Sequence, residues 1–198
     1  MTEWDAAYNS GFRIETREPS KIVKLGLKHT PPNSRILDLG CGNGRNSIYA
    51  ASIGHYVDAI DFVDLDFLVG VPSEIRKMIS FYKESVCDFP IQDNYYQGII
   101  ATRFIQYFSP DELPKLLKRT VNGLSTSGLL MLNYTASGGT PQEVLKLGKF
   151  DHPVERVIEL LNDEHMKVIH KENGDSTTTH LPWAFPAETY DILAVKQK

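Results

Sequence analysis

Cysteine is scarce in this sequence. Cys41 and Cys87 are the only two among 198 residues, and they form no CxxC pair. Two such residues cannot build a disulfide framework, which favours a reducing compartment, so we predict a cytoplasmic protein. The six histidines include no HExxH motif, and His165 and His170 are five residues apart, a step that does not place both rings on one helical face. No metal site is predicted.

Long apolar runs and an excess of positive charge are also lacking. No window approaches the roughly 18 apolar residues of a membrane-spanning helix, and residues 1–5 show neither the basic nor the apolar region of a signal peptide. Lysine and arginine number 21 against 25 aspartate and glutamate residues, which leaves a net charge of −4. We therefore predict neither a membrane nor a nucleic-acid partner.

The composition that is present is that of one globular domain. Hydrophobic residues make up 41% and charged residues 23% of the chain, and no repeat or long linker divides it. Before the first predicted strand, Trp4, Tyr8 and Phe12 recur every four residues. This spacing predicts a helix that packs on the body of the protein or, alternatively, a mobile lid over a site.

Strand-like and helix-like segments alternate along the chain, which predicts an α/β fold with a mostly parallel sheet. Short apolar runs predict buried strands at residues 34–40, 55–61, 96–104, 128–133 and 190–195. Helical patterns cover residues 43–53 and a segment that begins with the capping box at 109–112, although Pro114 favours a start a few residues later. No helical pattern lies between Val168 and Tyr190, so the last two strands are predicted to form a hairpin with an antiparallel final strand.

The most informative segment is the glycine-rich loop of residues 38–46, between the first strand and its helix. Glycines allow the backbone to turn and to approach a ligand, and a strand-terminal acid about 20 residues later, Asp61, suits a ribose. This pattern indicates an adenosine-type ligand. A dinucleotide fingerprint would need glycine where Arg45 stands, and Asp38 would repel a pyrophosphate but suits a cationic amino acid group. A dinucleotide-binding fold is the runner-up.

The string Asp-Leu-Gly-Cys-Gly-Asn-Gly of residues 38–44, with Asp61 after it, resembles motif I of class I S-adenosylmethionine-dependent methyltransferases. The longer match over residues 37–47 is particularly similar to the small tellurite-resistance type methyltransferases. This resemblance implies a Rossmann-like, seven-stranded, mostly parallel sheet with helices on both faces and an antiparallel C-terminal strand. It also divides the single domain into an N-terminal lid or helix segment, residues 1–30, and an S-adenosylmethionine-binding part, residues 31–198.

The resemblance also implies how the cofactor, S-adenosyl-L-methionine, and its product, S-adenosyl-L-homocysteine, are bound. Gly40, Gly42 and Gly44 would border the methionine moiety, and Asp61 would hold the ribose hydroxyls. Asp88 would accept from the adenine amino group, and Phe89 would donate its backbone N–H to the base. The other implied cofactor-binding residues are Arg17, for the methionine carboxylate, and Asp38, Cys41, Asn46, Phe62 and Thr102.

Substrate choice is assigned to loops at the same sheet edge, around Arg103, Tyr107 and His180. His180 is also the one weak candidate for a general base, because an unperturbed histidine accepts a proton near neutral pH. The sequence therefore predicts methyl transfer to a small molecule (a thiol, amine, hydroxyl or chalcogen oxyanion) by a monomer or homodimer. The alternative is a subunit that binds S-adenosylmethionine but is inactive and regulates a partner enzyme.

The sequence departs from the family pattern at two places. Gln97 and Gly98 stand where many relatives have an acidic residue before the fourth strand, and the expected second helix is interrupted at Gly70-Val-Pro72. Both departures concern the adenine side of the cofactor and its packing.

Overall fold

A computed structural model describes residues 18–64, 66–136, 150–173 and 188–198. They form a seven-stranded sheet in the order β3-β2-β1-β4-β5-β7-β6. All neighbouring strands are parallel except β7, which runs antiparallel to both β5 and β6. The seven-stranded, mostly parallel architecture and the antiparallel C-terminal strand are therefore confirmed.

The strands follow the predicted runs closely. They are β1 (Arg35–Leu39), β2 (Tyr56–Asp61), β3 (Ile79–Lys83), β4 (Tyr96–Thr102), β5 (Leu124–Thr135), β6 (Met166–Asn173) and β7 (Thr189–Lys196). The helices are α1 (Lys21–Lys28), α2 (Arg45–Ser52), α3 (Ser73–Arg76), α4 (Leu113–Gly123) and α5 (Val154–Asp163), with a short 3-10 helix at Ile105–Tyr107. The sequence patterns above predict neither the bounds of β3 nor the existence of α5.

The sheet core is apolar on both faces because β1 and β4 are almost continuously buried. One group of buried side chains lies where α1 and α2 pack, and a second lies where α4 and α5 pack. Helices therefore cover both faces, as predicted. This arrangement fixes the carboxyl ends of β1, β2 and β4 at one sheet edge, where open α/β folds bind ligands.

Helix α1 belongs to the core, although residues 1–30 were assigned together to an N-terminal segment. Ile22 and Val23 are fully buried, and a Cβ added to Gly26 would lie 2.4 Å from Cγ of Met131 in β5. The close contact of helix and sheet explains the glycine at position 26. Only residues before α1 can form the predicted lid. The stripe of Trp4, Tyr8 and Phe12 lies outside the described residues.

The proline signals are confirmed. Helix α4 begins at Leu113 with Pro114 in its first turn, later than the capping box itself. The Ser109 backbone N–H and hydroxyl both donate to Glu112 Oε2, at 2.8 and 2.7 Å, so the capping box forms one turn before the helix. After β2 the expected long helix is reduced to the four residues of α3, which follow Pro72.

Candidate functional site

The glycine-rich loop leaves β1 and enters α2 through three left-handed residues. The φ angles of Gly40, Gly42 and Gly44 are 65°, 54° and 69°, a region that other residues rarely adopt. An added Cβ would lie 2.5 Å from Phe104 Cδ2 at Gly40 and 1.9 Å from Phe67 Cδ2 at Gly44. At Gly42 it would meet no atom of the described residues within 4 Å. Two glycines are therefore required by packing, whereas the third faces space that none of the described residues fills.

Asp61, at the end of β2, supports this loop from below. Its Oδ2 accepts the Gly42 N–H at 2.8 Å and its Oδ1 accepts the Val63 N–H at 3.0 Å. A carboxylate has about four acceptor positions, so this pairing leaves room for ribose hydroxyls. Burial raises the pKa of Asp61, and the backbone hydrogen bonds from Val63 and Gly42 oppose that rise.

Asp38 lies beneath the loop rather than at its surface. The side chain is 1% exposed, and its Oδ2 accepts the Ser47 hydroxyl hydrogen bond at 2.6 Å. Burial raises the pKa of Asp38 to about 6, opposed by the Ser47 hydrogen bond and by Arg45. Asp38 is part of β1, and it therefore influences the site as a buried charge that is hydrogen-bonded to a residue of α2. Its pairing with Ser47 had no sequence signal beyond a serine nine residues later.

Asn46 joins three parts of the site. Its Nδ2 donates to Thr102 Oγ1 at 2.8 Å, at the end of β4, and its Oδ1 accepts the Ser20 backbone N–H at 3.0 Å. Arg45 donates to the Glu18 carbonyl at 3.3 Å and to Ser20 Oγ at 3.1 Å. The residues that lead into α1 are thereby anchored at the start of α2. The roles of Ser20 and Arg45 were not predicted, because each depends on a contact 25 or more residues away.

A compact turn after β3 carries the predicted adenine-binding residues. Asp88 is exposed, and Phe89 is 6% exposed with its ring 5.0 Å from that of Tyr82. The backbone N–H groups of Asp88 and Phe89 both donate to the Ser85 carbonyl at 3.0 Å. The Phe89 N–H, which the resemblance assigns to the base, is thus already engaged within the turn. Together with the glycine loop and Asp61, residues 85–89 form what we call the cofactor side.

The ends of β4, β5 and β7, together with the 3-10 helix, form what we call the acceptor side. Arg103 has a φ of 55°, and its N–H donates to the Asn133 carbonyl. Burial lowers the pKa of the Arg103 guanidinium, while Tyr107 and Asp191 raise it. Asn133 Nδ2 donates to Asp191 Oδ1 at 2.6 Å. Arg103 and Tyr107 therefore both lie on the acceptor side, close enough for Tyr107 to affect the Arg103 pKa.

Two buried polar groups near this side have no hydrogen-bond partner among the described residues. They are the Gln106 Oε1 and the Tyr134 hydroxyl, on side chains that are 2% and 0% exposed. Burial of an unsatisfied polar group is costly, which makes these atoms notable. Neither was predicted, since a single glutamine or tyrosine in an apolar stretch carries no sequence signal.

The remaining predicted site residues form two groups, those that the structure describes and those that lie outside the described residues. Cys41 is 6% exposed, and burial raises the pKa of its thiol, so it is an unreactive filler beneath the loop. Phe62 is 43% exposed directly after Asp61, on the cofactor side. Arg17 and His180 lie outside the described residues. No group of side chains suited to a metal ion occurs within residues 18–64, 66–136, 150–173 and 188–198.

The cofactor side fits S-adenosylmethionine on its own geometry. No described residue fills the space above Gly42, the Asp61 carboxylate has unused acceptor positions, and Asp88 is exposed in the turn that follows β3. A pyrophosphate would be placed above the buried acid Asp38 and near Asp61, which disfavours the dinucleotide alternative.

Comparisons with known proteins agree with this interpretation of the cofactor side. Residues 36–128 match the family described as a methyltransferase domain. Over 96 residues the chain is 28% identical to the probable S-adenosyl-L-methionine-dependent methyltransferase TehB of Haemophilus influenzae, covering 48% of this chain and 33% of the relative. Over 125 residues it is 24% identical to carboxy-S-adenosyl-L-methionine synthase of Aeromonas hydrophila, covering 58% and 48% respectively. The chain thus spans half or less of these curated relatives.

Solved structures share the fold over more of the chain. The 1,6-didemethyltoxoflavin-N1-methyltransferase of Burkholderia thailandensis superposes with a TM-score of 0.81 at 17% identity, covering 99% of this chain and 86% of that one. The [4+2]-cyclase SpnF gives 0.69 at 15% identity, with 89% and 80% covered. The resemblance to class I S-adenosylmethionine-dependent methyltransferases is confirmed: the chain has their fold, and residues 36–128 match the methyltransferase domain family.

Within the described residues, no helix has both the length and the apolar character needed to cross a membrane.

Proposed function

We propose that this protein transfers the methyl group of S-adenosylmethionine to a small-molecule acceptor. The observation that carries the proposal is the space above Gly42, which no described residue fills, in a loop whose backbone is held by Asp61. Gly40 and Gly44 are explained by packing against aromatic rings, but Gly42 is not. A glycine that faces open space with a left-handed backbone is the position that a closely approaching ligand requires.

The bound cofactor would supply an activated methyl group on a sulfonium. The protein's part is then to bind, orient and exclude water, and no dedicated nucleophile is required. Gly40, Gly42 and Gly44 would border the methionine moiety, with Asp38, Cys41, Asn46 and Thr102 supporting the loop. Asp61 and Phe62 would hold the ribose side and Asp88 the adenine. Arg17 directly precedes the anchored residues 18–20, which supports its proposed pairing with the methionine carboxylate.

The acceptor is proposed to lie against Arg103, Tyr107 and His180. Arg103 is desolvated at the end of β4, next to the Thr102 that α2 contacts through Asn46. A thiol, an amine, a hydroxyl or a chalcogen oxyanion would fit a site of this kind. His180 would accept a proton where the acceptor has one to lose, so His180→Ala should lower turnover and leave cofactor affinity within about twofold.

Calorimetry with S-adenosylhomocysteine is the primary test. Wild-type protein should bind. Asp61→Ala should lose about 1–3 kcal/mol of binding free energy, because the substitution removes a charged hydrogen-bond acceptor. Asp93→Ala, an exposed acid in the loop that precedes β4 at the opposite sheet edge, is the matched control and should bind normally. Absence of binding at millimolar ligand would end the proposal, and tight NAD binding would revive the dinucleotide alternative.

Turnover against a panel of thiols, amines, phenols and chalcogen oxyanions tests the reaction itself. Methylation of a member supports the proposal and identifies the acceptor. Cofactor binding without turnover of the whole panel would favour the inactive partner subunit. Methylation of an oligonucleotide would overturn the acceptor class.

A further inference from the structure

Arg119, on helix α4, is bound to the turn that carries Asp88. Its Nη1 donates to the carbonyls of Val86 at 3.4 Å and Cys87 at 3.1 Å, and its Nη2 donates to the carbonyl of Phe89 at 2.8 Å. A guanidinium has five donors in a rigid planar fork, so one side chain can hold several acceptors in fixed relation. The carbonyls contacted lie on either side of Asp88.

The turn has two supports, and Arg119 is one of them. The N–H groups of Asp88 and Phe89 donate to the Ser85 carbonyl at 3.0 Å, and the Cys87 N–H donates to Ser85 Oγ at 3.2 Å. These bonds engage the N–H groups of residues 87–89, whereas the three carbonyls above are bound by Arg119. The turn follows β3, an edge strand of the sheet, and among the described strands only β2 pairs with it. Without Arg119, the carbonyl face of the turn would be left to solvent.

We propose that Arg119 is a positioning residue for adenine recognition, holding the turn 85–89 so that the Asp88 carboxylate meets the amino group of the base. This inference rests on the proposed function. Arg119 acts through backbone carbonyls and is assigned no contact with the cofactor. Substitution of Arg119 should therefore change selectivity for the base more than affinity for the methionine moiety, because this turn recognises only the base.

The test compares two ligands that differ at the base. S-inosylhomocysteine replaces the adenine amino group of S-adenosylhomocysteine by an oxo group, which cannot donate to Asp88. Wild-type protein should prefer S-adenosylhomocysteine, and Asp88→Asn should remove most of that preference. Arg119→Met should reduce the ratio of the two dissociation constants by about fivefold, the size expected when one charged hydrogen-bonding group loses its alignment. In Arg119→Met/Asp88→Asn the two losses should not add.

Lys118→Met is the matched control, because it removes the same charge from the preceding, exposed position of the same helix. It should leave the ratio unchanged. Arg119→Lys keeps the charge but replaces the fork by one ammonium group, so it should give an intermediate ratio, and it decides the matter where Arg119→Met fails to fold. An unchanged ratio in the folded Arg119 variant, with only a lower melting temperature, would show a structural brace and overturn the inference.

Failure of the inference is distinguishable from failure of the proposed function. Wild-type protein that binds neither ligand contradicts the proposed function. Wild-type protein that binds both equally contradicts base recognition by Asp88, and with it the role of Arg119. A selective wild type with an equally selective Arg119→Met leaves the proposed function intact and removes Arg119 from recognition.

Discussion

The cofactor side and the acceptor side are built in different ways. On the cofactor side, the glycine loop and the turn 85–89 are held largely by hydrogen bonds to the backbone, such as those of Asp61 and Arg119. On the acceptor side, the described residues include buried polar atoms without a partner, on Gln106 and Tyr134. Under the proposed function, the side held by hydrogen bonds would bind the constant cofactor, and the side with unsatisfied polar atoms would bind an acceptor that is chosen by loops.

The largest effect that separates the two sides is expected from the packing of the glycine loop. In Gly44→Ala, the new methyl group would lie 1.9 Å from the Phe67 ring, which itself packs edge-on against Phe81 at 5.3 Å. Together with the left-handed backbone, displacement of that ring should lower the free energy of unfolding by about 3 kcal/mol or more. Urea denaturation measures it.

Gly70→Ala is the matched control for Gly44→Ala. Gly70 also has a left-handed backbone, with φ 78°, but an added Cβ would meet no atom within 4 Å in the described part of the chain. It should lose only about 1 kcal/mol, the cost of the backbone conformation. Equal losses of unfolding free energy in the two variants would mean that packing does not constrain the glycine loop. The cofactor side would then not be rigid.

The second test uses the pH dependence of Asp38. Because its folded pKa is raised from 3.8 to about 6, the folded state binds its proton more tightly than the unfolded state does. Its contribution to stability is therefore fully present below pH 3.8 and is lost as pH rises through 6. Relative to Asp38→Asn, wild-type protein should lose about 3 kcal/mol of unfolding free energy across this interval. Denaturation series at pH 4 and pH 7 measure the difference, and parallel profiles would show that Asp38 is not a buried ionisable group.

The third test separates the space above Gly42 from the strain of its backbone. Gly42→Ala and Gly70→Ala introduce a methyl group at left-handed positions where no described residue lies within 4 Å. Their stabilities should fall alike, by about 1 kcal/mol. Only Gly42→Ala should weaken S-adenosylhomocysteine binding, by about tenfold, because its methyl group occupies the proposed ligand space. Calorimetry on both proteins decides, and normal binding to Gly42→Ala would move the ligand away from this loop.

The parts of the molecule also differ in how far the sequence could predict them. The glycine loop and Asp61 were correctly placed at one sheet edge because the turn chemistry is local and strand ends meet there in any parallel sheet. The core position of α1, the Arg119 contacts and the Asn133–Asp191 pair were not predicted. Each joins segments about 30 or more residues apart, such as Arg119 and Phe89 or Asn133 and Asp191. Such contacts depend on the completed packing and produce no periodic pattern in the sequence.

The smallest expected effect concerns the unpartnered hydroxyl of Tyr134. Tyr134→Phe removes a buried polar atom that has no hydrogen bond among the described residues, so it should leave stability unchanged or raise it by up to about 1 kcal/mol. Tyr96→Phe is the control, because the Tyr96 hydroxyl donates to Asp58 Oδ2 at 2.9 Å, and its loss should cost about 1 kcal/mol. Urea denaturation of both variants gives the comparison. If Tyr134→Phe is destabilised as much as Tyr96→Phe, the hydroxyl is satisfied by a group outside the described residues, and the acceptor side is as fully built as the cofactor side. If Tyr134→Phe is stabilised, the hydroxyl is buried without a hydrogen-bond partner and lowers the free energy of unfolding of the wild-type protein.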